Sequence, residues 1–220
     1  MQHQIPVNSP ADHAKARAEL LAAEIALRDQ IEAVAAMRRA LPTGAVVQNY
    51  VFRGEGGRDV ALADLFEPSK PSLMVIHFMF TEADTTPCSM CAMWTDGYDA
   101  IARHVARRVP VVLVARAPIG KMAAFARARG WKNLRLLSSA GNSFNPDFRM
   151  ENPDGAQLPG VSIFSRDEDG TLRHRYTQCA DLGPSQWRGL DLLTPVWNLF
   201  DLLPEGRGDW MPKNGYMAAV

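Results

Sequence analysis

Residues 72–91, SLMVIHFMFTEADTTPCSMC, decide how the chain is read. They open on the run Ser72–Phe80, apolar except at Ser72 and His77, which is the pattern of a strand buried on both faces. They close on Cys88-Ser89-Met90-Cys91, where a helical pattern begins that extends to about Arg107. A helix start presents free backbone N–H groups and a partial positive charge, which favour a thiolate over a thiol. The three-residue spacing puts the second sulfur one turn on, within reach of a mixed disulfide at the first. Pro87, lacking an N–H, suits the start of a helix. Two of the chain's three cysteines lie in this motif. It reads as a redox dithiol, with Cys88 the exposed, acidic nucleophile and Cys91 the buried resolving thiol. Two other readings stand beside it. A zinc half-site wants a second ligand pair, and neither Cys179 nor the five histidines supply one at metal-ligand spacing. A pair of inert core cysteines is the third reading.

Outward from this stretch, strand and helix alternate. Val111–Ala115 and Leu134–Leu137 are predicted strands, separated by a helix over Ile119–Arg129 that Gly130 ends. Asn142–Asp154 reads mostly as loop. Val161–Ser165 and Leu172–Thr177 form a hairpin across Asp169-Gly170. A final amphipathic helix spans Gln186–Leu203, with Leu190, Leu193, Val196, Trp197 and Phe200 on one side and a kink at Pro195. Upstream, Val46–Phe52 and Asp59–Leu62 flank the turn Gly54–Gly57 as another hairpin, followed by a short helical turn at Ala63–Phe66. The order predicts an α/β fold, a mixed central sheet flanked by helices, in the arrangement of the thioredoxin fold. The first hairpin and a long N-terminal helix are additions in front of it.

That N-terminal helix covers residues 9–41. Ser9 is its expected cap, Pro10 its first helical residue and Asp12 its early acid. Leu20, Leu27, Ile31, Val34, Met37 and Leu41 recur at helical spacing until Pro42 and Gly44 stop it. At ~1.5 Å per residue it is ~48 Å long, against an expected radius of gyration of ~17 Å for the chain. Its apolar stripe is narrow, closer to a helix-pairing seam than to a core face. A homodimer in which this helix meets a second subunit is therefore expected; a monomer with the helix folded along its own sheet or final helix is the competing reading. The chain divides into a helical extension, 1–44, a thioredoxin-like domain, 45–203, and an extended Gly/Pro-rich tail, 204–220. Arg207-Gly208-Asp209 in that tail is a coincidental tripeptide.

The 220 residues carry 24 basic and 24 acidic side chains and are 47% hydrophobic. Such a chain can bury a core without disulfides or metal. A net charge of zero supplies no drive toward nucleic acid or an anionic membrane. No apolar run approaches the ~20 residues of a spanning helix. The N-terminus lacks the basic and apolar regions of a secretory signal, so the expected compartment is the cytoplasm, where thiols stay reduced. No cofactor and no metal are called for.

The segments YVFRGEGGRDVALADLF, HFMFTEADTTPCSMCAMWTDG, ARAPIGKMAAFARARGW, SSAGNSFNPDF, PGVSIFSRDEDG and RGLDLLTPVWNLFDLLPEGRGD resemble, in order, a bacterial thioredoxin-like family of unknown function. Its members are described as predicted dithiol–disulfide oxidoreductases, related to the alkyl hydroperoxide reductase branch of the thioredoxin superfamily. The resemblance spans nearly the whole chain. It implies the thioredoxin fold, exchange with an unidentified thiol or disulfide substrate, and reduction by a cellular thiol. In that fold a cis-proline precedes the strand beside the dithiol. The matching position here is Pro159, with Leu158 before it offering backbone groups to a bound thiol or peptide. His77 takes the place of a buried acid that assists proton transfer in thioredoxins, or is simply a hydrogen-bonded core histidine. Arg116, ending a strand at the ligand-binding edge of the sheet, is a candidate to acidify Cys88. Trp94 and Cys179 read as structural. The match departs from thioredoxins at Pro87 and at Ser89-Met90, where they carry tryptophan and Gly-Pro. Peroxiredoxins place a proline and a threonine ahead of their reactive cysteine. Thr85 answers the threonine, and Thr81 replaces the proline. A peroxidase of the same fold and a non-enzymatic binding module are the alternatives.

Overall fold

The computed structural model describes residue 6 and residues 8–183 and 188–216. Its chain falls into two units, Met1–Thr43 and Gly44–Val220. The first contains helix α1, Ala11–Arg39. Pro10 is its N-cap residue and no side chain caps it; the Ser9 N–H bonds back to the Pro6 carbonyl at 3.0 Å instead. The expected serine cap is therefore displaced by one residue. Arg17 pairs with Glu24 along the helix at 2.9 Å, and Arg38 and Arg39 sit in the last turn, where the helix dipole favours cations.

The second unit is built on one mixed sheet. Its strands are Val51–Arg53 (β1), Asp59–Ala61 (β2), Ser72–His77 (β3), Val111–Ala115 (β4), Arg135–Ser138 (β5), Gly160–Arg166 (β6) and Leu172–Cys179 (β7). The spatial order is β2-β1-β5-β4-β3-β6-β7. β3 and β5 run parallel to β4, while β6 runs antiparallel to β3 and to β7. Helices α2 (Ser89–Val105) and α3 (Ile119–Arg129) make the crossovers, followed by the short α4 (Phe144–Asp147) and α5 (Pro195–Phe200). This is the thioredoxin-like arrangement. Strand alternation splits the core into two layers. Leu113 and Ala115 of β4 join Ile76, Cys91, Trp94 and Trp197. Val112 and Val114 join Phe52, Val75, Phe144 and Phe164 on the other face. Among the described residues no helix is long and apolar enough to cross a membrane.

Three elements differ from expectation. Val46 forms an isolated bridge with Arg173 of β7, and only Val51–Arg53 pairs with β2. The predicted strand Val46–Phe52 thus serves two different partners. A Cβ on Gly44 would lie 1.6 Å from the His174 carbonyl oxygen, so only glycine allows the chain to reach β7 here. β3 leaves regular pairing at His77, three residues early. The predicted helix Gln186–Leu203 is broken into a 3-10 turn, Asp191–Leu193, and α5. Thr194, ahead of Pro195, is held extended at φ −133, ψ 138, as the proline ring requires of the residue before it. Pro195 thus begins a helix rather than kinking one. The predicted start at Gln186 lies outside the described residues, as do the chain ends 1–5 and 217–220. The tail, expected to be extended from Pro204, instead runs through turns to residue 209.

Candidate active site

Beyond His77, residues 78–80 stay attached to the sheet: the Phe78 N–H donates to Val114 and the Phe80 carbonyl accepts from Ala117, at 2.9 and 2.8 Å. The loop that follows is fastened from inside and outside. Thr81 donates through its N–H and hydroxyl to Asp84 Oδ2, at 2.7 and 2.8 Å. The Lys121 ammonium, on α3, donates to the carbonyls of Thr81, Glu82 and Asp84 and lies 4.9 Å from the Phe80 ring centroid. The loop delivers Cys88 as the N-cap residue of α2, with φ −55 and ψ 124. Its N–H donates to the Met79 carbonyl at 3.3 Å, and its own carbonyl starts the helix by accepting from Ala92 at 3.0 Å.

Cys88 is partly exposed and Cys91 buried, and both are free thiols. Their acidities diverge. The Cys88 thiol falls to about 6, because the Cys91 S–H donates to it and the N–H groups of Cys91 and Met90 point at it; burial opposes these effects. Cys91 is pushed well above an ordinary thiol by that same hydrogen bond, by burial and by the neighbouring Cys88 charge. At neutral pH the arrangement holds one thiolate and one thiol, donor to acceptor, at a helix start. Cys88 opens on a groove of about 470 Å³ lined by Met79, Thr81, Asp84, Thr86, Pro87 and the segment Gly155–Gln157. Behind Gln157 runs a buried polar chain. Its Oε1 accepts from Asn145 at 2.7 Å, and Asn145 Oδ1 accepts from the Ser139 hydroxyl at 2.7 Å. Its Nε2 donates to Glu151 at 2.9 Å.

The structure places the sequence-derived site residues unevenly. Pro87 is buried against the groove, directly before Cys88. Thr85 is exposed, and Thr86 lines the groove in its stead. Leu158 and Pro159 follow the lining segment without belonging to it. The cis bond expected at Pro159 is absent; the described peptide bonds are trans. Here the Leu158 N–H reaches Met150 at 2.9 Å and the Pro159 carbonyl accepts from Ala180 at 3.2 Å, so a trans segment already feeds β6 in register. Arg116 does not act on Cys88. It is bound to Glu151 at 2.5 Å and is not among the groups that shift the thiol.

His77 faces the layer opposite the dithiol, where it stacks on Phe144 with ring centroids 5.6 Å apart. Strand alternation sends Ile76 toward Cys91 and its neighbour His77 away. Its Nε2 lies 2.7 Å from the Ser162 hydroxyl, which is 2.7 Å from that of Thr177, itself 2.7 Å from His174 Nε2. Burial holds His77 at a pKa of about 3, so it is a neutral core residue. Trp94 is buried in the dithiol's layer. Cys179 ends β7, its acidity lowered by burial. No group of three or more His, Cys, Asp or Glu among the described residues could hold a metal ion. Asp84 and Gln157, which line the groove, and Lys121, which ties the loop beside it, were not legible as site residues, because the fold alone brings them there.

The model of the family described as "Bacterial protein of unknown function (DUF899)" matches residues 2–218. No curated protein matches the chain in sequence. Among solved structures, it is similar to a mutant PrxQ of Xylella fastidiosa, at 14% identity and a TM-score of 0.47 over 70% of this chain and 93% of that one. It is also similar to the 1-Cys peroxiredoxin antioxidant protein of Plasmodium falciparum, at 11% identity and 0.47 over 63% and 84%. A putative protein disulfide isomerase from Bacteroides thetaiotaomicron gives 16% identity and 0.43 over 70% and 86%.

Proposed function

The chain belongs to the DUF899 family of bacterial proteins, and we propose that in this protein the fold serves thiol–disulfide exchange, with Cys88 as nucleophile and Cys91 as resolving thiol. The observation that carries the reading is the placement of two free thiols on α2, Cys88 as its partly exposed N-cap residue and Cys91 buried one turn inside, with acidities shifted in opposite directions. The Cys88 thiolate attacks one sulfur of a substrate disulfide. A Cys88–substrate disulfide forms, the substrate S–S bond breaks, and the departing thiolate takes up a proton. Cys91 then loses its proton and attacks Cys88 Sγ. The Cys88–Cys91 disulfide forms and the second substrate thiol leaves. Two electrons have passed to the substrate, and two equivalents of a cellular thiol return the pair to its reduced state. Charging the outer sulfur and keeping the inner one protonated orders the steps, since only a thiolate attacks and a buried thiol waits for the mixed disulfide.

The test uses a disulfide-bonded peptide. Cys91→Ser should accumulate a mixed disulfide at Cys88, seen by mass, while the native protein reduces the peptide and ends with Cys88 joined to Cys91. Failure of both outcomes removes the reading. Rapid loss of hydrogen peroxide with oxidation of Cys88, in place of peptide reduction, would make the protein a peroxidase.

A further inference from the structure

The C-terminal chain returns to the dithiol. After α5, Arg207 forms a fork with Asp201, at 2.6 Å for each bond, and a third bond to Asp191 at 2.6 Å. Trp210 packs edge-on against Trp197 and Phe200, with centroids 5.5 and 5.1 Å away. The Asn214 carbonyl then accepts from Arg129 at 2.6 Å. Arg129 also grips Asp96 of α2 with both carboxylate oxygens, at 2.9 and 2.7 Å. The Asn214 side chain donates through Nδ2 to the Pro87 carbonyl at 2.7 Å.

That last bond falls on a specific lever. The Pro87 carbonyl lies outside the helical ladder of α2, whose first acceptor is Cys88, and it accepts its hydrogen bond from the tail instead. The same peptide unit carries the Cys88 N–H, which is held by Met79 at 3.3 Å. With both atoms pinned, the peptide plane cannot rotate, and φ of Cys88 is fixed at −55. That angle decides whether the Cys88 sulfur faces Cys91 and the first N–H groups of α2. The orientation of the Asn214 amide is also settled, since reversing it would set oxygen against oxygen.

We propose that Asn214 is a positioning residue for Cys88, locking the Pro87–Cys88 peptide so that the nucleophile stays on its hydrogen-bond donors. The inference rests on the dithiol reading above. It makes the tail part of the active site, closed in a ring through Arg129 and Asp96. The titratable groups around Cys88 are Cys91 on its own helix and Asp84 across the groove; neither is touched by changing Asn214.

The experiment measures the pH profile of Cys88 alkylation in the full chain, with modification assigned by mass. The native protein should show a midpoint near 6. Asn214→Ala and Asn214→Asp should each raise it by about one unit, a tenfold loss of thiol acidity, with an unchanged Tm. Asn214→Gln, which keeps the donor, should recover part of the shift. A native midpoint near 6 that Asn214→Ala and Asn214→Asp both leave in place overturns the positioning role and spares the dithiol reading. A native midpoint at an ordinary thiol value of ~8.5 overturns both.

Discussion

Cys88 is the N-cap residue of α2 and Cys91 its third residue, and the hydrogen bond between the two thiols moves their acidities in opposite directions. It is the largest influence on Cys88, ahead of the backbone N–H groups. Cys91→Ala should therefore raise the Cys88 midpoint from about 6 toward an ordinary thiol. Thiolate absorbance or alkylation against pH reads the change. A midpoint that stays near 6 would assign the acidity to the helix start alone.

Lys121 ties three carbonyls of the loop ahead of the dithiol. Lys121→Met keeps the chain's apolar contact with Phe80 and removes the donors. The variant should lose about 1–2 kcal/mol, and amide exchange over residues 81–88 should speed up while the rest of the sheet keeps its protection. Uniform exchange across the molecule would mean that the lysine does not hold the loop.

Asp99, buried on α2, accepts from the N–H groups of Lys132, Asn133 and Leu134 and from the Asn133 side chain, at 2.8–3.2 Å. This carboxylate fixes the connection between α3 and β5. Asp99→Ala leaves several part-buried donors without their acceptor and should cost about 1–3 kcal/mol in urea unfolding. A loss below 0.5 kcal/mol, on the order of a neutral surface change, would contradict it.

His77 gives the fold an acid sensitivity. Its folded pKa of about 3 lies below the unfolded value of about 6.5, so the unfolded chain binds the proton more readily. The stability that neutral His77 supports is complete above about 6.5 and is lost as pH falls toward 3, at roughly 1.4 kcal/mol per pH unit for one proton. His77→Phe, which retains a ring against Phe144, should flatten the difference in unfolding free energy between pH 6 and pH 4. Parallel profiles for the two proteins would contradict this.

The dithiol was legible because its chemistry is local. A Cys-x-x-Cys after an apolar strand needs nothing beyond helix geometry to place Cys88 at the N-cap and Cys91 a turn inside. The sheet was legible for a related reason: Val111–Ala115 and the Asp169-Gly170 hairpin carry their pattern in a few consecutive residues. What the sequence hides is long-range. Gln157 and Asn214 reach the site across 69 and 126 positions, and no periodicity marks them. His77 carried two readings, a site residue and a hydrogen-bonded core histidine, because a continuously apolar strand does not declare which face each residue takes; the core reading is the one its bond to Ser162 fits. The single helix expected over Gln186–Leu203 failed on a local rule, since Pro195 dictates an extended residue before it.

A redox titration of the intact protein tests the central claim most directly. Samples equilibrated across a series of thiol–disulfide buffers, acid-quenched and mapped by mass, should pass through one two-electron transition. It should join Cys88 to Cys91, leave Cys179 free, and centre between roughly −270 and −120 mV, the range of exchange-active dithiols. A pair that stays reduced throughout, or a Cys88 that disulfide-bonds only with the buffer thiol, would contradict it.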